Sequence, residues 1–396
     1  MKPLFSRDMV EATRLTRAGR VNEAMALLQG MLRGNQPSAP PTVIALPPPV
    51  LELKPVADRG FSDGPAVSAG ILPTHGAFDG IFNRLQLNGL GLKGLGLRGV
   101  PGRPAPPASA IAPTAGQFIT KSFSNEAGRR AYKLYSPSRY GDEPRPLIVM
   151  LHGCTQSADD FAAGTRMNFA AEEHACFVVY PEQPVSANAS KCWNWFKGSD
   201  QQRGRGEPAL IAGITRQVMR DHRVDARRVY IAGLSAGGAA ATIMGEAYPD
   251  LYAAVGVHSG LACGAARDLP TAFAAMRGDD PLHASMSRKP GERALPTIVF
   301  HGDRDTTVHP RNSAEVIARA NAGSPSDASV DRGSVSGRRY TRSIQRDANG
   351  RSVLEHWEIH GAGHAWSGGN AAGSFTDPTG PDATQEMLRF FLEHAR

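Results

Sequence analysis

A Gly-x-Ser-x-Gly pentapeptide at residues 233–237 lies between a strand pattern and a helix pattern. The β-branched and aromatic run at residues 229–232 precedes it, and small residues from 237 to 248 follow it. A serine at such a junction lies on a turn so sharp that its neighbours must be glycine or very small. The helix N-terminus beside Ser235 would favour developing negative charge. The alternative is a glycine-rich turn in which Ser235 caps the helix, but the flanking patterns favour a nucleophile.

A nucleophilic serine requires a general base and an acid that orients the base. When the serine follows a strand in this way, the acid and then the histidine come later in the chain. Residues 296–302 predict a buried strand, and Asp303 and Asp305 follow it in a loop. We expect Asp305 to be the acid because it has more reach towards a histidine on a later loop. The alternative is Asp303, which could instead cap the turn or pair with Arg304.

His364 is the candidate base. Residues 353–359 alternate like a strand, and two glycines follow before His364. A histidine on a glycine-flanked loop after a strand can place its ring over the serine. His356 and His360, on the strand and at its end, are expected to have structural roles.

The strand predicted at residues 147–151 runs into a turn that begins His152-Gly153-Cys154. The loop after such a strand donates one backbone N–H to an oxyanion, and the residue after the nucleophile donates another. These residues are Cys154 and Ala236. Gly153 allows the backbone to approach the substrate closely, and His152 is expected to brace the loop.

Six short blocks between residues 117 and 396 carry the candidate residues and their neighbours: His152-Gly153-Cys154-Thr155-Gln156, Tyr180-Pro181-Glu182-Gln183, Cys192-Trp193-Asn194-Trp195-Phe196, Gly233-Leu234-Ser235-Ala236-Gly237-Gly238, His301-Gly302-Asp303-Arg304-Asp305 and Gly363-His364-Ala365-Trp366. In content and order they resemble the polyhydroxybutyrate (PHB) depolymerase family of α/β-hydrolase esterases. The resemblance implies a serine carboxylic-ester hydrolase that acts on polyhydroxyalkanoate esters, whereas related members act on feruloyl or acetyl esters of plant polysaccharides. It implies Ser235 as nucleophile, Asp305 as acid and His364 as base, with no cofactor.

Aromatic side chains accompany these blocks. Trp193, Trp195 and Trp366 are candidate substrate contacts, since an aromatic cluster can line a cleft. The alternative is packed structure anchored by the indole N–H groups.

The formal net charge is +7, but no Lys/Arg block stands out and aromatic residues make up only 7% of the chain. This pattern argues against nucleic-acid binding. The four cysteines are too sparse for a disulfide scaffold, and their spacing predicts no metal site. Cys154 and Cys192 could form a bridge near the proposed site or remain two free thiols.

Strand and helix patterns alternate from residue 118 onward, which predicts an α/β domain at residues 117–396 with a mainly parallel sheet and helices on both faces. Residues 263–295 are irregular and are expected to cover part of the site. Residues 1–35 predict a helical hairpin, and residues 36–116 predict a Pro/Gly-rich linker.

The predicted hairpin cannot bury its apolar face alone, so it would dock on its own chain, on a second copy or on a polymer granule. A polymer-granule-associated binding protein is therefore the alternative to an enzyme. The first residues lack the apolar core of a signal peptide, and no stretch is long enough to span a membrane. We therefore expect a cytoplasmic location, although the resemblance implies that an extracellular one is compatible.

Overall fold

A computed structural model describes residues 105–139, 141, 143–279, 294–321 and 327–396. The hairpin predicted at residues 1–35 and the linker up to residue 104 lie outside this part of the chain. The last residues of the predicted linker include a one-turn helix, α1 (Ala108–Ile111). Ile111 packs against the core, and its carbonyl accepts a hydrogen bond from Asn168 Nδ2 at 2.9 Å.

A ten-stranded sheet forms the centre of the described part. Its strands are β1 (Gln117–Asn125), β2 (Gly128–Ser136), β3 (Arg145–Leu151), β4 (Phe177–Pro181), β5 (Val224–Leu234), β6 (Ala254–His258), β7 (Thr297–Gly302), β8 (Asp327–Val335), β9 (Arg338–Arg346) and β10 (Ser352–Ile359). They lie in the order β1-β2-β4-β3-β5-β6-β7-β10-β9-β8. The strands from β4 to β10 in this order are parallel, and an antiparallel hairpin flanks them on each side. The predicted mainly parallel sheet is confirmed.

Helices cover both faces of this sheet. They are α2 (Ala158–Thr165), α3 (Met167–Glu173), α4 (Gly206–Asp221), α5 (Ala236–Ala247), α6 (Leu269–Met276), α7 (Arg311–Ala320) and α8 (Ala383–Leu392). Along β3, Val149 packs in a cluster with α4 to α7, whereas its neighbours Ile148 and Met150 pack with α2, α3 and α8. This alternation is what a strand covered on both sides requires. Within the described segments, each helix is too short or too polar to traverse a lipid bilayer.

Three elements differ from the sequence prediction. Residues 161–174 carry a helix pattern that predicts one continuous helix, but they belong to two helices, because Arg166 adopts a left-handed conformation (φ 56°) between α2 and α3. The hairpin β8–β9 was not predicted, since its strands are polar and lack an apolar alternation. The section expected to be irregular contains α6, which begins with a capping box between Asp268 and Thr271.

The parallel strands place their carboxyl ends at one edge of the sheet. Ser235 follows β5, the loop with Asp305 follows β7, and His364 follows β10. Residues that are far apart in the chain therefore meet at the edge where open α/β sheets build their sites.

Candidate active site

Ser235 occupies the sharp turn that its glycine neighbours predict. Its backbone is at φ 58° and ψ −120°, between the end of β5 and the start of α5. A Cβ atom on Gly233 would lie 2.3 Å from the carbonyl group of Gly237, and one on Gly237 would lie 2.0 Å from the Leu151 oxygen. Both positions therefore require glycine. The Ser235 N–H donates to the His258 carbonyl at 2.9 Å, which holds the turn against β6.

Asp305 is buried and hydrogen-bonded on both carboxylate oxygens. Oδ2 accepts a hydrogen bond from His364 Nδ1 at 2.7 Å, and Oδ1 accepts from the N–H groups of Thr307 and Val308 at 2.9 Å each. Burial by itself raises the pKa of Asp305, but the charge of His364 and hydrogen bonds from His301 and His364 bring that pKa well below its ordinary value. The carboxylate is therefore ionised and points at the candidate base.

Asp303 has a different partner. Its Oδ2 lies 3.0 Å from His360 Nδ1, and its Oδ1 accepts from the Gly361 N–H at 2.6 Å. Among the described residues, Asp303, Glu358 and His360 bring potential metal-ligand atoms within 4.8 Å of one another. Both ring nitrogens of His360 already have partners, since Nε2 lies 2.9 Å from Thr341 Oγ1. These residues therefore belong to a hydrogen-bonded network at the end of β10.

His364 follows β10 on the glycine-flanked loop, and its side chain is only 6% exposed. Because the ionised Asp305 carboxylate accepts a hydrogen bond from Nδ1, that nitrogen carries the proton, and Nε2 is the basic nitrogen. The His364 ring also meets the edge of Phe375, with ring centres 6.5 Å apart. His364 and Ser235 line the same cleft.

The turn after β3 lies directly beside the serine. A Cβ atom on Gly153 would be 3.6 Å from Ser235 Cβ, and Gly153, Cys154 and Ala236 all line the cleft with the serine. In the described part of the chain, neither the Cys154 nor the Ala236 N–H has a hydrogen-bond acceptor. These two N–H groups therefore remain available to an oxygen atom bound at the serine.

His152 braces this turn from within the core, as expected from the sequence. Its Nε2 accepts a hydrogen bond from the Gln183 N–H at 3.1 Å, so Nδ1 carries the proton and donates to the Gly153 carbonyl at 2.7 Å. Burial lowers the pKa of His152 to about 4. His258 is buried in the same way between Phe300 and Trp366, and burial lowers its pKa to about 3. Both rings are neutral at pH 7.

The lowered pKa values of His152 and His258 predict that the folded protein loses stability in mild acid. The unfolded chain binds protons at its histidines near pH 6.5, whereas His152 binds one in the folded chain only near pH 4. The unfolded state therefore holds more protons between these values, and the free energy of unfolding falls as the pH is lowered. We expect His152 to contribute a decrease of about 2 kcal/mol between pH 7 and pH 5, measured by urea denaturation.

The variant His152→Gln should reduce this difference between pH 7 and pH 5. Replacement of the exposed His174 by glutamine serves as the matched control and should leave the difference unchanged. Equal pH dependence in the His152→Gln variant and the wild type would contradict the assignment.

Cys154 and Cys192 form a disulfide across 38 residues of sequence. The sequence alone did not distinguish between this disulfide and two free thiols. The disulfide joins the turn that carries the Cys154 N–H to the aromatic loop around Trp195. It therefore fixes two walls of the cleft to each other.

Removal of this disulfide should affect both stability and turnover. Closing a loop of this size is worth about 4 kcal/mol in the chain-entropy description. We expect the double variant Cys154→Ala/Cys192→Ala to lose about this much in urea denaturation, and to lose roughly tenfold or more in ester-hydrolysis kcat because the turn is no longer held in place. The control Cys176→Ala, which removes a buried thiol away from the cleft, should lose only about 1 kcal/mol and keep its kcat. Wild-type kcat in the double variant would show that the bridge does not position the turn.

Glu207 organises the aromatic loop and was not identified from the sequence. This buried carboxylate, at the start of α4, accepts from Asn194 N at 2.7 Å, Asn194 Nδ2 at 2.6 Å and Gln183 Nε2 at 2.5 Å. Burial raises its pKa against the opposing effect of these hydrogen bonds. Only its position in the first turn of a helix pattern could have drawn attention to it.

The cleft has a largely apolar lining. Four of its residues come from α6, in the section that was expected to cover part of the site. Its lining residues are Gly153, Cys154, Cys192, Trp195, Phe196, Leu234, Ser235, Ala236, Leu261, Leu269, Ala272, Phe273, Met276, Thr307, Val308, His364 and Phe375.

The three candidate tryptophans have different locations. Trp195 lines the cleft. Trp193 is fully buried and donates its indole N–H to the His152 carbonyl at 3.1 Å. Trp366 is buried beside His258 and donates to Thr384 Oγ1 at 3.0 Å. Trp193 and Trp366 therefore anchor packed structure through their indole N–H groups. The prediction that these two residues contact substrate does not fit their positions, because neither lines the cleft.

The sheet order and the chain order of Ser235, Asp305 and His364 after β5, β7 and β10 are those of an α/β-hydrolase. Comparison with a solved structure supports the same fold. The fold matches an acetyl xylan esterase from Aspergillus awamori with a TM-score of 0.56 at 20% sequence identity, over 70% of this chain and 99% of that one. Residues 130–323 match the family described as esterase PHB depolymerase. The resemblance to this family that the sequence blocks indicate is therefore confirmed over this part of the chain.

Curated relatives extend this comparison. Poly(3-hydroxyalkanoate) depolymerase C of Paucimonas lemoignei is 33% identical over 227 residues, which are 55% of this chain and 54% of the relative. A probable acetylxylan esterase A of Aspergillus clavatus is 29% identical over 52% of this chain and 71% of its own length. Feruloyl esterase B of Neurospora crassa is 27% identical over 69% and 91%, respectively. The chain thus spans about half the length of the depolymerase that it matches.

Proposed function

We propose that this protein is a serine carboxylic-ester hydrolase that cleaves polyhydroxyalkanoates or their oligomers through an acyl-enzyme. The observation that carries the proposal is the buried Asp305–His364 pair, joined at 2.7 Å, in a cleft that Ser235 also lines. An ionised acid, an oriented imidazole and a serine on a strained turn are the parts of a nucleophilic triad.

In the proposed mechanism, His364 Nε2 takes the proton of Ser235 Oγ as that oxygen attacks the ester carbonyl. The carbonyl oxygen becomes an oxyanion, which the Cys154 and Ala236 N–H groups stabilise by about 3 kcal/mol each. His364 then gives its proton to the departing alcohol, and Asp305 stays ionised to stabilise the imidazolium. Water, deprotonated by the same histidine, attacks the acyl-enzyme. His364 then returns that proton to Ser235 Oγ as the bond to the acyl group breaks and the acid is released.

The substrate class rests on two supports. The depolymerase relative acts on poly(3-hydroxyalkanoate), as its name states, and the description of the family names PHB depolymerase. The cleft is apolar apart from the candidate catalytic groups and Thr307, which suits an uncharged aliphatic ester. Feruloyl or acetyl-xylan esters are the second candidate, because esterases named for those substrates are also among the relatives.

A substrate panel tests this proposal. Purified protein is incubated with p-nitrophenyl butyrate, PHB, 3-hydroxybutyrate oligomers, methyl ferulate and acetylated xylan, and the released acid or alcohol is measured. We expect the highest kcat/KM on p-nitrophenyl butyrate and the hydroxybutyrate oligomers. Preference for methyl ferulate or acetylated xylan would support the second candidate, and no hydrolysis of any ester by folded protein would refute the esterase itself.

We also infer that the protein works in an oxidising compartment. The Cys154–Cys192 disulfide supports this inference, since such bonds persist mainly outside the cytosol. The bond favours an extracellular or periplasmic location over the cytoplasmic one expected from the first residues. Alkylation of protein taken directly from its native compartment, followed by mass spectrometry, tests it: labelled Cys154 and Cys192 would contradict the inference.

A further inference from the structure

Helix α6 forms one wall of the cleft with a single face. Leu269, Ala272, Phe273 and Met276 line the cleft and are spaced at 0, 3, 4 and 7 residues. This spacing places their side chains on one side of an α-helix. Ala274, on the same helix, does not line the cleft.

This wall is capped at its start and anchored to another segment at its end. At its start, the Asp268 carboxylate accepts from the Thr271 N–H at 2.9 Å, which closes the first turn of the helix. At its end, the Met276 carbonyl accepts from the His309 N–H at 2.8 Å, and the Ala275 carbonyl accepts from the buried Asn312 Nδ2 at 2.9 Å. The side chains of α6, rather than movement of the helix, therefore determine how much space the cleft offers on this side.

The alcohol part of a bound ester lies beside His364, because that residue protonates the leaving oxygen. His364 contacts Phe375, so Phe375 belongs to the alcohol side of the cleft. The acyl chain extends from the same carbonyl carbon in the other direction. We assign the apolar face of α6, which lines the cleft, to this acyl side.

We propose that α6 sets the length of the acyl chain that the cleft accepts, with Ala272 and Met276 as the determining positions. The inference rests on the proposed esterase function. Ala272 has the smallest side chain on this face, so it leaves depth that a larger residue would fill. Met276 is long, so its truncation would add space.

The experiment measures kcat/KM for p-nitrophenyl acetate, butyrate, hexanoate and octanoate. In Ala272→Leu, the octanoate-to-acetate ratio should fall at least tenfold, because a single methylene in an apolar pocket already discriminates by roughly 10- to 200-fold. In Met276→Ala, the ratio should rise. Ala274→Leu adds the same side chain to the helix outside the cleft and should keep the wild-type ratio. Circular dichroism and thermal melting check folding, and Met276→Ala carries the test if Ala272→Leu does not fold.

Two results would overturn the proposal. The first is an unchanged ratio in the folded variants, which would leave the esterase function intact. The second comes from a series of alkyl butyrates that differ in alcohol length: if the variants change preference in that series alone, α6 contacts the alcohol. Failure of the proposed function is recognised separately, because the wild type would then hydrolyse no ester of any length.

Discussion

Replacement of Ser235 by alanine is expected to lower kcat for p-nitrophenyl butyrate by about 10⁴- to 10⁶-fold. The reason is that Ser235 alone offers a hydroxyl at the turn between β5 and α5, beside the free N–H groups of Cys154 and Ala236. Alanine keeps the backbone contacts of the turn, so circular dichroism and the thermal midpoint should remain close to those of the wild type. Initial rates at saturating substrate measure the effect.

Ser259 provides a matched control for this variant. It also follows a central strand and has a positive φ of 49°, but it does not line the cleft. Ser259→Ala should keep kcat within several-fold of the wild type. Comparable turnover in Ser235→Ala and the wild type would remove Ser235 from the mechanism.

The comparison of Asp305→Asn with Asp303→Asn is expected to give the second-largest difference. Asparagine at 305 would present an amide to His364 Nδ1 and favour the wrong tautomer of the ring, a change worth about 10⁴-fold in kcat. Asp303 instead binds His360 and the Gly361 N–H at the partly exposed end of β10. We therefore expect Asp303→Asn to alter kcat by no more than a few-fold.

Both variants replace a carboxylate by an amide of the same size in one loop, so each controls for the other. The thermal midpoint of each variant separates loss of fold from loss of chemistry. A larger loss in Asp303→Asn than in Asp305→Asn would transfer the role of acid to Asp303.

The central strands and the candidate residues could be predicted because local sequence dictates them. Gly233 and Gly237 are required because a Cβ atom at either position would lie within 2.3 Å of backbone atoms, and such a requirement is visible in the sequence as a glycine pattern. Buried parallel strands such as β3 and β7 appear as continuous apolar runs. The chain order of serine, acid and histidine then restricts which loops meet at the sheet edge.

The remaining features depend on contacts that sequence does not display. Trp193 and Trp195 are two residues apart, yet one anchors the turn after β3 and the other lines the cleft. From sequence, Asp305 could be preferred to Asp303 as the acid only because it has more reach towards a later histidine. The structure distinguishes them by their partners, which are His360 for Asp303 and His364 for Asp305. The polar hairpin β8–β9 forms by pairing with β10 and carries little apolar signal of its own.

The anchoring of α6 has a consequence for how this protein could diverge or be engineered. The segment that holds the end of α6, with His309 and Asn312, begins only four residues after Asp305. Insertions or deletions that displace the helix would be transmitted to the carboxylate that orients His364. Substrate range on this side is therefore open to change through single side chains, whereas remodelling of the backbone there would cost rate as well as selectivity.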